Sequence, residues 1–241
     1  MTGRVVVVTG AGSGLGWHIT QALLAQGDRV IANYANSGDL IDRRVTEVGA
    51  DRLVAVKGSI SEESTSERLA AAAARLGGPQ AVIHNASITR DGLLVTMSVD
   101  DWQAVQDVNL RGAFLLSKHA VRGMLRHRAG RLVYISSISA VMGNAGQVNY
   151  AASKSGLDGL ARSVAQEYSG RGITTCVLAA GLINVGMGAR LAPIYQQAKL
   201  SKTLLGAAQP EEMAGIATFL ASDAASHINA TVVHANGGME F

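Results

Sequence analysis

The chain has 241 residues, of which 48% are hydrophobic and 16% charged, and its 21 lysines and arginines against 18 acidic residues give a net charge of +3. This apolar composition excludes disorder of the whole chain, and a single cysteine excludes an internal disulfide framework. The small net charge provides no dense basic stripe, so nucleic acid is not expected as a partner.

Short apolar runs alternate with longer helical patterns along the chain. Because these runs are apolar on both faces, they indicate buried strands of a parallel sheet. Strands are predicted at 4–8, 29–33, 53–57, 81–84, 132–136, 173–178 and 231–234, and helices at 14–26, 39–48, 62–75, 100–128, 149–169 and 210–221. The alternation predicts an α/β fold, a single-domain Rossmann-type doubly wound parallel sheet of about seven strands spanning 1–241.

Patterns of export and membrane insertion are absent from the sequence. No run reaches the ~18 consecutive apolar residues of a membrane span, and the apolar run after Met1 is too short for a signal peptide. A single cysteine fits a reducing compartment. We therefore expect a cytoplasmic protein that does not enter a membrane.

The turn after the first strand is rich in glycine. Such glycines permit a tight turn and a close approach of the backbone to a pyrophosphate, while the helix that follows offers unpaired N–H groups. A turn with only a structural role is the alternative. The segment reads Thr9-Gly10-Ala11-Gly12-Ser13-Gly14-Leu15-Gly16 and predicts a dinucleotide-binding site.

The end of the second strand bears on the choice of nicotinamide cofactor. An acidic residue there would bind the adenosine ribose and repel a 2′-phosphate. The chain has no carboxylate there before Asp39, and Asn36 and Ser37 offer hydrogen-bond donors. This favours NADP(H), although no arginine stands in the segment to pair with a phosphate.

Three residues form a pattern suited to proton transfer. Tyr150 and Lys154 are four residues apart in a helical segment, so their side chains share one face. An adjacent ammonium favours the phenolate and is expected to lower the pKa of the tyrosine. Ser137 follows a strand and could hold a carbonyl oxygen beside the phenol. The Tyr-Lys spacing alone is also common on exposed helices that have no catalytic role.

Together these motifs resemble the short-chain dehydrogenase/reductases over essentially the whole chain, and within them the β-ketoacyl-[acyl-carrier-protein] reductases. The tetrad is Asn109, Ser137, Tyr150 and Lys154. The more specific strings are His84-Asn85-Ala86-Ser87, Ile88-Thr89-Arg90-Asp91, Met142-Gly143-Asn144-Ala145-Gly146-Gln147-Val148-Asn149-Tyr150, Phe219-Leu220-Ala221-Ser222-Asp223 and Asn236-Gly237-Gly238-Met239.

The resemblance implies a role for each residue of the tetrad. Tyr150 would be the general acid in ketone reduction, Lys154 would lower its pKa and hold the nicotinamide ribose, Ser137 would bind the carbonyl, and Asn109 would anchor a relay water. The cofactor would lie against Gly10, Ser13, Gly14, Leu15, Gly16, Asn36, Ser37, Ser59, Ile60, Asn85, Ala86, Ser87, Tyr150, Lys154, Gly181 and Ile183.

The resemblance also implies partners. Arg128 and Arg171 match two residues that dock an acyl carrier protein, and the family forms homotetramers. The segment 185–205 would be a substrate lid. Arg128 falls in a basic stretch whose alternative interpretation is a solvated helix face: Lys118, His119, Arg122, Arg126, His127, Arg128 and Arg131.

Three residues depart from the family pattern near the expected cofactor. Ser87 replaces a glycine, Ala180 a proline and Val185 a threonine. None removes a proton-transfer group, so we expect retained activity in a specialised relative, such as a ketoreductase of a polyketide or polyene pathway. Two other functions remain open: a reductase of acyl-CoA or of a free ketone, and a cofactor-binding regulator without catalysis.

Overall fold

Seven parallel strands form one sheet in the order β3-β2-β1-β4-β5-β6-β7. A computed structural model of the chain describes residues 3–36, 38–190 and 193–239. The strands are β1 (Val5–Val8), β2 (Arg29–Tyr34), β3 (Leu53–Lys57), β4 (Ala81–His84), β5 (Gly130–Ser137), β6 (Ile173–Ala180) and β7 (Thr231–Ala235). The predicted α/β fold with a doubly wound parallel sheet is confirmed.

Helices cover both faces of this sheet. The α-helices are α1 (Gly14–Ala25), α2 (Asp39–Val48), α3 (Glu63–Arg75), α4 (Val99–Gln106), α5 (Gly112–His127), α6 (Ser139–Met142), α7 (Val148–Tyr168), α8 (Pro193–Leu200) and α9 (Pro210–Leu220). One core layer packs β-strands against α1 and α9, and the other packs them against α3, α5 and α7. Within the described ranges, no helix is both long and apolar enough to cross a membrane.

The long helix predicted at 100–128 is interrupted. It begins one residue earlier, where the Ser98 hydroxyl accepts a hydrogen bond from the Asp101 N–H at 3.0 Å, and it contains a π-helical turn over Asp107–Arg111. A π turn inserts one residue into the helical repeat and is frequent at functional sites. Here it places Asn109, whose side chain is fully buried.

The sheet reverses its strand order between β1 and β4. β1 pairs with β2 on one side and with β4 on the other, so the connections leave to opposite faces and a crevice opens at the carboxyl ends of these strands. The glycine-rich turn follows β1, the segment from Asn85 to Asp91 follows β4, and Ser137 ends β5. The fold therefore gathers the predicted site at one edge of the sheet.

Candidate active site

A cleft of about 350 Å³ lies at the carboxyl edge of the sheet. Its walls combine the turn after β1, the loop after β4, the end of β5, the start of α7 and the segment after β6. Among the residues predicted for the site, those that line it are Gly10, Ser13, Gly14, Leu15, Asn85, Ala86, Ser87, Ser137, Tyr150, Lys154, Gly181 and Ile183.

The glycine turn has the geometry of a phosphate cradle. Gly10 and Gly14 have φ angles of +65° and +55°, in the left-handed region that side chains disfavour. A Cβ on Gly16 would overlap the Gly10 carbonyl oxygen, so this glycine lets α1 pack closely on the turn. Ser13 precedes α1 without capping it through its side chain. The helix amino terminus thus fits the pyrophosphate of a dinucleotide.

The hydroxyl of Thr9 ties this turn to the loop after β4. Its oxygen accepts hydrogen bonds from the N–H groups of Asn85 at 3.1 Å and Ala86 at 3.0 Å. With both lone pairs used, the hydroxyl donates its proton to Nδ1 of His84, 3.2 Å away. Nε2 of His84 then carries the ring proton and donates it to the carbonyl oxygen of Asn109 at 3.2 Å.

His84 is neutral in this network. Burial is the main cause that lowers the pKa of His84 to about 3, and the nearby Lys154 acts in the same direction. The sequence alone did not single out this histidine. The sequence feature that could have indicated its role is that a polar residue ends an otherwise apolar strand.

Asn109 lies behind the cleft and holds the loop that lines it. Its Oδ1 accepts from the Ile88 N–H at 2.9 Å, and its Nδ2 donates to the Ile88 carbonyl at 3.1 Å and to the Ser153 hydroxyl at 3.0 Å. The side-chain amide is thereby engaged at both ends. Its water-relay role stays a prediction, for which the backbone carbonyl and the second lone pair of Oδ1 have remaining capacity.

Tyr150 and Lys154 are both buried in the cleft wall. The Lys154 Nζ lies 5.7 Å from the centroid of the Tyr150 ring and donates to the Ile135 carbonyl at 2.7 Å. Burial lowers the pKa of Lys154 to about 7, since no carboxylate compensates the loss of water. Lys154 therefore titrates near neutral pH.

The expectation that the pKa of Tyr150 lies below its ordinary value is wrong. Burial raises the pKa of Tyr150 above its ordinary value, because an apolar wall disfavours the phenolate more than its neighbours favour it. The hydroxyls of Ser87 and Ser137 lower this pKa, and the charge of Asp91 raises it. Ser137 is itself held by the Ser139 N–H, which donates to its Oγ at 3.2 Å.

Several predicted cofactor residues do not line the cleft. Gly16 packs beneath the turn; the Ser59 hydroxyl lies 2.7 Å from that of Ser61; and Ile60 is buried against Gly112. Asn36 is exposed beyond the end of β2. Ser37 lies outside the described residues. The contacts of these residues with a cofactor remain predictions.

The cleft also contains residues that the sequence did not single out as site residues. Thr89, Gln147 and Met239 fall inside the strings that resemble the family, so position in those strings was a usable signal, whereas the others come together only through the fold. They are Thr89, Ile135, Ser136, Ile138, Ser139, Gln147, Leu182, Gly186, Gly188 and Met239.

The predicted lid begins in the cleft wall. A backbone bridge between Ile183 and Ala208 pins the two ends of the segment, and the Asn184 N–H donates to the Ala208 carbonyl at 2.9 Å. Between these ends, Met187 lines the cleft and Gly186 lies against Gly14. Positions 191 and 192 lie outside the described residues. Opening and closing of 185–205 stays a prediction.

The two predicted docking arginines are neighbours, but they lie away from the cleft. The Arg128 Nη2 donates to the Gly170 carbonyl at 3.3 Å, and both Arg128 and Arg171 are exposed. They immediately precede β5 and β6, so they lie at the amino edge of the parallel sheet, opposite Tyr150.

The predicted basic stretch is divided by the fold. Arg131 is buried in β5 and donates to the Thr174 hydroxyl and the Ala225 carbonyl at 2.9 Å each, so its inclusion in a surface patch is wrong. A strand that starts at Gly130 turns its side chain inward. Lys118 and His119 both contact Glu63, at 2.7 and 3.0 Å.

Burial of Lys154 predicts a pH-dependent stability. Between pH of about 7 and its ordinary pKa of 10.5, the folded chain holds Lys154 neutral while the unfolded chain holds it protonated. Its contribution to the free energy of unfolding therefore rises with pH across this window, by at most about 1.4 kcal/mol per pH unit. In denaturant titrations, the free energy of unfolding of wild type minus that of Lys154→Met should rise from pH 7 to pH 9.5.

The exposed Lys57 offers the matched control for this effect. Lys57→Met should leave the pH dependence of stability unchanged, since its ammonium stays hydrated in both states. If the free energy of unfolding of wild type changed with pH in parallel with that of Lys154→Met, the result would contradict neutralisation of Lys154 by burial.

Comparison with known proteins identifies the family. The family model described as Enoyl-(Acyl carrier protein) reductase matches residues 10–240. The 3-oxoacyl-[acyl-carrier-protein] reductase of Pseudomonas aeruginosa is 40% identical over 242 residues, covering 99% of this chain and 98% of that protein. The proteins of the same description from Synechocystis sp. and Escherichia coli are each 38% identical, and cover 99% and 98% of this chain and 98% and 97% of their own lengths. The chain therefore belongs to the short-chain dehydrogenase/reductase family and is an oxidoreductase acting on a carbonyl group.

Proposed function

We propose that the chain reduces a β-ketoacyl thioester carried on an acyl carrier protein to the β-hydroxyacyl form, with NADPH as reductant. The observation that carries this proposal is the cleft in which Ser137, Tyr150 and Lys154 meet beside a glycine turn shaped for phosphate. The relatives are described as 3-oxoacyl-[acyl-carrier-protein] reductases, and this description supplies the substrate class.

Each residue of the cleft has a separate role in the proposed carbonyl reduction. The Ser137 hydroxyl, held by the Ser139 N–H, binds the substrate oxygen beside the phenol. Tyr150 gives its proton to that oxygen as the carbonyl becomes an alcohol. Reduced nicotinamide, when bound, supplies the hydride to the carbonyl carbon. The glycine turn and Asn85 fix where the cofactor lies, and Lys154 holds its ribose.

Proton supply to Tyr150 follows from the same geometry. Lys154 has a pKa of about 7 in the unliganded chain, so it can both release and regain a proton near neutrality. Behind it, the Asn109 carbonyl already accepts from His84 and has one lone pair left for a water. We propose that a water at this carbonyl returns the proton to Lys154 from solvent.

Removal of the phenolic hydroxyl tests this mechanism. Tyr150→Phe should lower kcat for ketone reduction at least about 100-fold, because it deletes the general acid while preserving the ring in the cleft wall. Steady-state oxidation of NADPH with a β-ketoacyl carrier-protein substrate measures the loss. Tyr168→Phe, at a half-buried tyrosine on the same helix and outside the cleft, is the matched control and should retain wild-type kcat.

We propose NADPH in preference to NADH because no carboxylate precedes Asp39 at the end of β2. Asn36 is exposed there, and its side-chain amide is a hydrogen-bond donor of the kind that a 2′-phosphate needs.

Introduction of a negative charge at this position tests the cofactor. Asn36→Asp should lower kcat/KM for NADPH about tenfold or more and leave kcat/KM for NADH unchanged or higher, because the carboxylate repels the 2′-phosphate. Asn144→Asp adds the same charge on another exposed loop and should affect both cofactors equally. A wild-type preference for NADH would contradict the assignment.

We propose that the carrier protein docks on Arg128 and Arg171, and that it serves the cleft of a second copy of the chain. The two arginines and the cleft lie at opposite ends of β5, whose eight residues span about 25 Å. The proposed homotetramer would bring one protomer's amino edge to another's cleft. Half-exposed aromatic side chains on α5 and α9, Phe114 and Phe219, support contacts between copies.

Charge reversal tests docking. Arg128→Glu with Arg171→Glu should raise KM for the carrier-bound substrate about tenfold and leave turnover of a small ketone unchanged. Arg122→Glu with Arg126→Glu is the matched control on the neighbouring helix surface. Mixed oligomers of the double arginine variant with Tyr150→Phe should recover turnover, since each supplies what the other lacks. No recovery would contradict docking across copies.

The other candidate functions predict different outcomes. A reductase of acyl-CoA or of free ketones would turn over those substrates as well as the carrier-bound one. Its KM would not change when Arg128 and Arg171 are replaced by glutamate. Reduction of an enoyl thioester in place of a ketone would follow the description of the family model. A wild-type chain that binds NADPH but reduces none of these would be a regulator, and that result would overturn the proposed enzyme function.

A further inference from the structure

Ser87 places an unpartnered hydroxyl in the wall of the cleft. Its Oγ is buried and has no hydrogen-bond partner of normal geometry among the described residues. A buried hydroxyl without a partner is uncommon in folded proteins and calls for an explanation. Ser87 lines the same cleft as Ser137 and Tyr150.

The backbone on both sides of Ser87 is fixed. The Ala86 N–H donates to the Thr9 hydroxyl at 3.0 Å, and Ile88 is held through both its N–H and its carbonyl by the side chain of Asn109. Only rotation about the side-chain bond is left to the Ser87 hydroxyl. The loop is therefore a rigid support that holds this hydroxyl in the wall of the cleft that Tyr150 also lines.

The hydroxyl acts on the phenolic oxygen of Tyr150. Together with Ser137, Ser87 is one of two side chains whose hydrogen-bonding capacity favours the phenolate, against burial and the charge of Asp91. Of the two, Ser137 is engaged by the Ser139 N–H and is assigned to the substrate oxygen in the proposed reaction. The Ser87 hydroxyl has no other hydrogen-bond partner of normal geometry among the described residues and is not assigned to the substrate oxygen.

We propose that the Ser87 hydroxyl donates a hydrogen bond to the phenolic oxygen of Tyr150 as that oxygen gives up its proton. The inference rests on the reductase function proposed above. In this step the Tyr150 O–H bond breaks, its proton goes to the substrate oxygen, and its electron pair stays on the phenolic oxygen. Ser87 is thus a second stabilising hydroxyl, at a position where the resembled family has a glycine.

The pH dependence of the reverse reaction measures this interaction. Oxidation of a β-hydroxyacyl thioester with NADP⁺ needs the phenolate, so its rate rises with pH. Ser87→Ala should move the midpoint of this rise upward by about one pH unit, which is the size expected for a lost hydrogen bond to a charged oxygen. Below the midpoint, the rate should fall about tenfold.

Two variants control for structural effects. Ser87→Thr keeps a hydroxyl and should restore the wild-type midpoint. Ser66→Ala removes a second buried, unpartnered hydroxyl, on α3 and outside the cleft, and should not move the midpoint. The other titratable groups around Tyr150, namely Lys154, Asp91 and the neutral His84, are the same in every chain compared.

A measurement without turnover separates this inference from the proposed function. Ultraviolet titration of tyrosinate, as the difference between each chain and its Tyr150→Phe counterpart, should show Tyr150 ionising at higher pH in Ser87→Ala than in wild type. An unmoved ionisation and an unmoved rate midpoint would overturn the role of Ser87. A change confined to KM for NADP⁺ would also overturn it, by assigning the hydroxyl to the cofactor ribose. Failure of wild type to turn over any ketone would overturn the function instead.

Discussion

The Thr9 hydroxyl is the contact on which the geometry of the site depends. It lies at the point where the strand order reverses, and one oxygen atom accepts from two N–H groups of the next loop while its proton goes to His84. The glycine turn and the loop after β4 are therefore held together by one side chain. Through His84 and Asn109 the same chain of hydrogen bonds reaches the π turn, so it connects β1, β4 and the long helix.

Burial determines the chemistry that this frame can support. Removing Tyr150 and Lys154 from water raises the pKa of Tyr150 and lowers that of Lys154 to about 7, so near pH 7 the phenol is neutral and the lysine can take up or release a proton. A neutral phenol is the form that can donate a proton to a carbonyl. The surrounding hydroxyls then lower the cost of the phenolate that the transfer leaves behind, in a wall where bulk water cannot do so.

The sheet separates the proposed docking residues from the cleft. The cleft occupies the carboxyl edge, where loops from several strands converge, whereas Arg128 and Arg171 occupy the amino edge, where few other site residues lie. A tethered substrate offered at the amino edge of a protomer would have to span the length of β5, about 25 Å, to reach the cleft of the same protomer. This constraint connects the proposed carrier docking to the proposed assembly of several copies, because the second copy shortens the path.

Local patterns in the sequence determined the features that depend on neighbouring residues alone. The strand alternation, the glycine turn and the four-residue spacing of Tyr150 and Lys154 are properties of short segments, and the structure places them as expected. Only the tertiary structure decided which distant groups surround the phenol. It brought Ser87 to Tyr150, turned Arg131 into the core, and raised the pKa of the tyrosine that the lysine was expected to lower. Desolvation and side-chain contacts across loops depend on packing in three dimensions, which no spacing along the chain encodes.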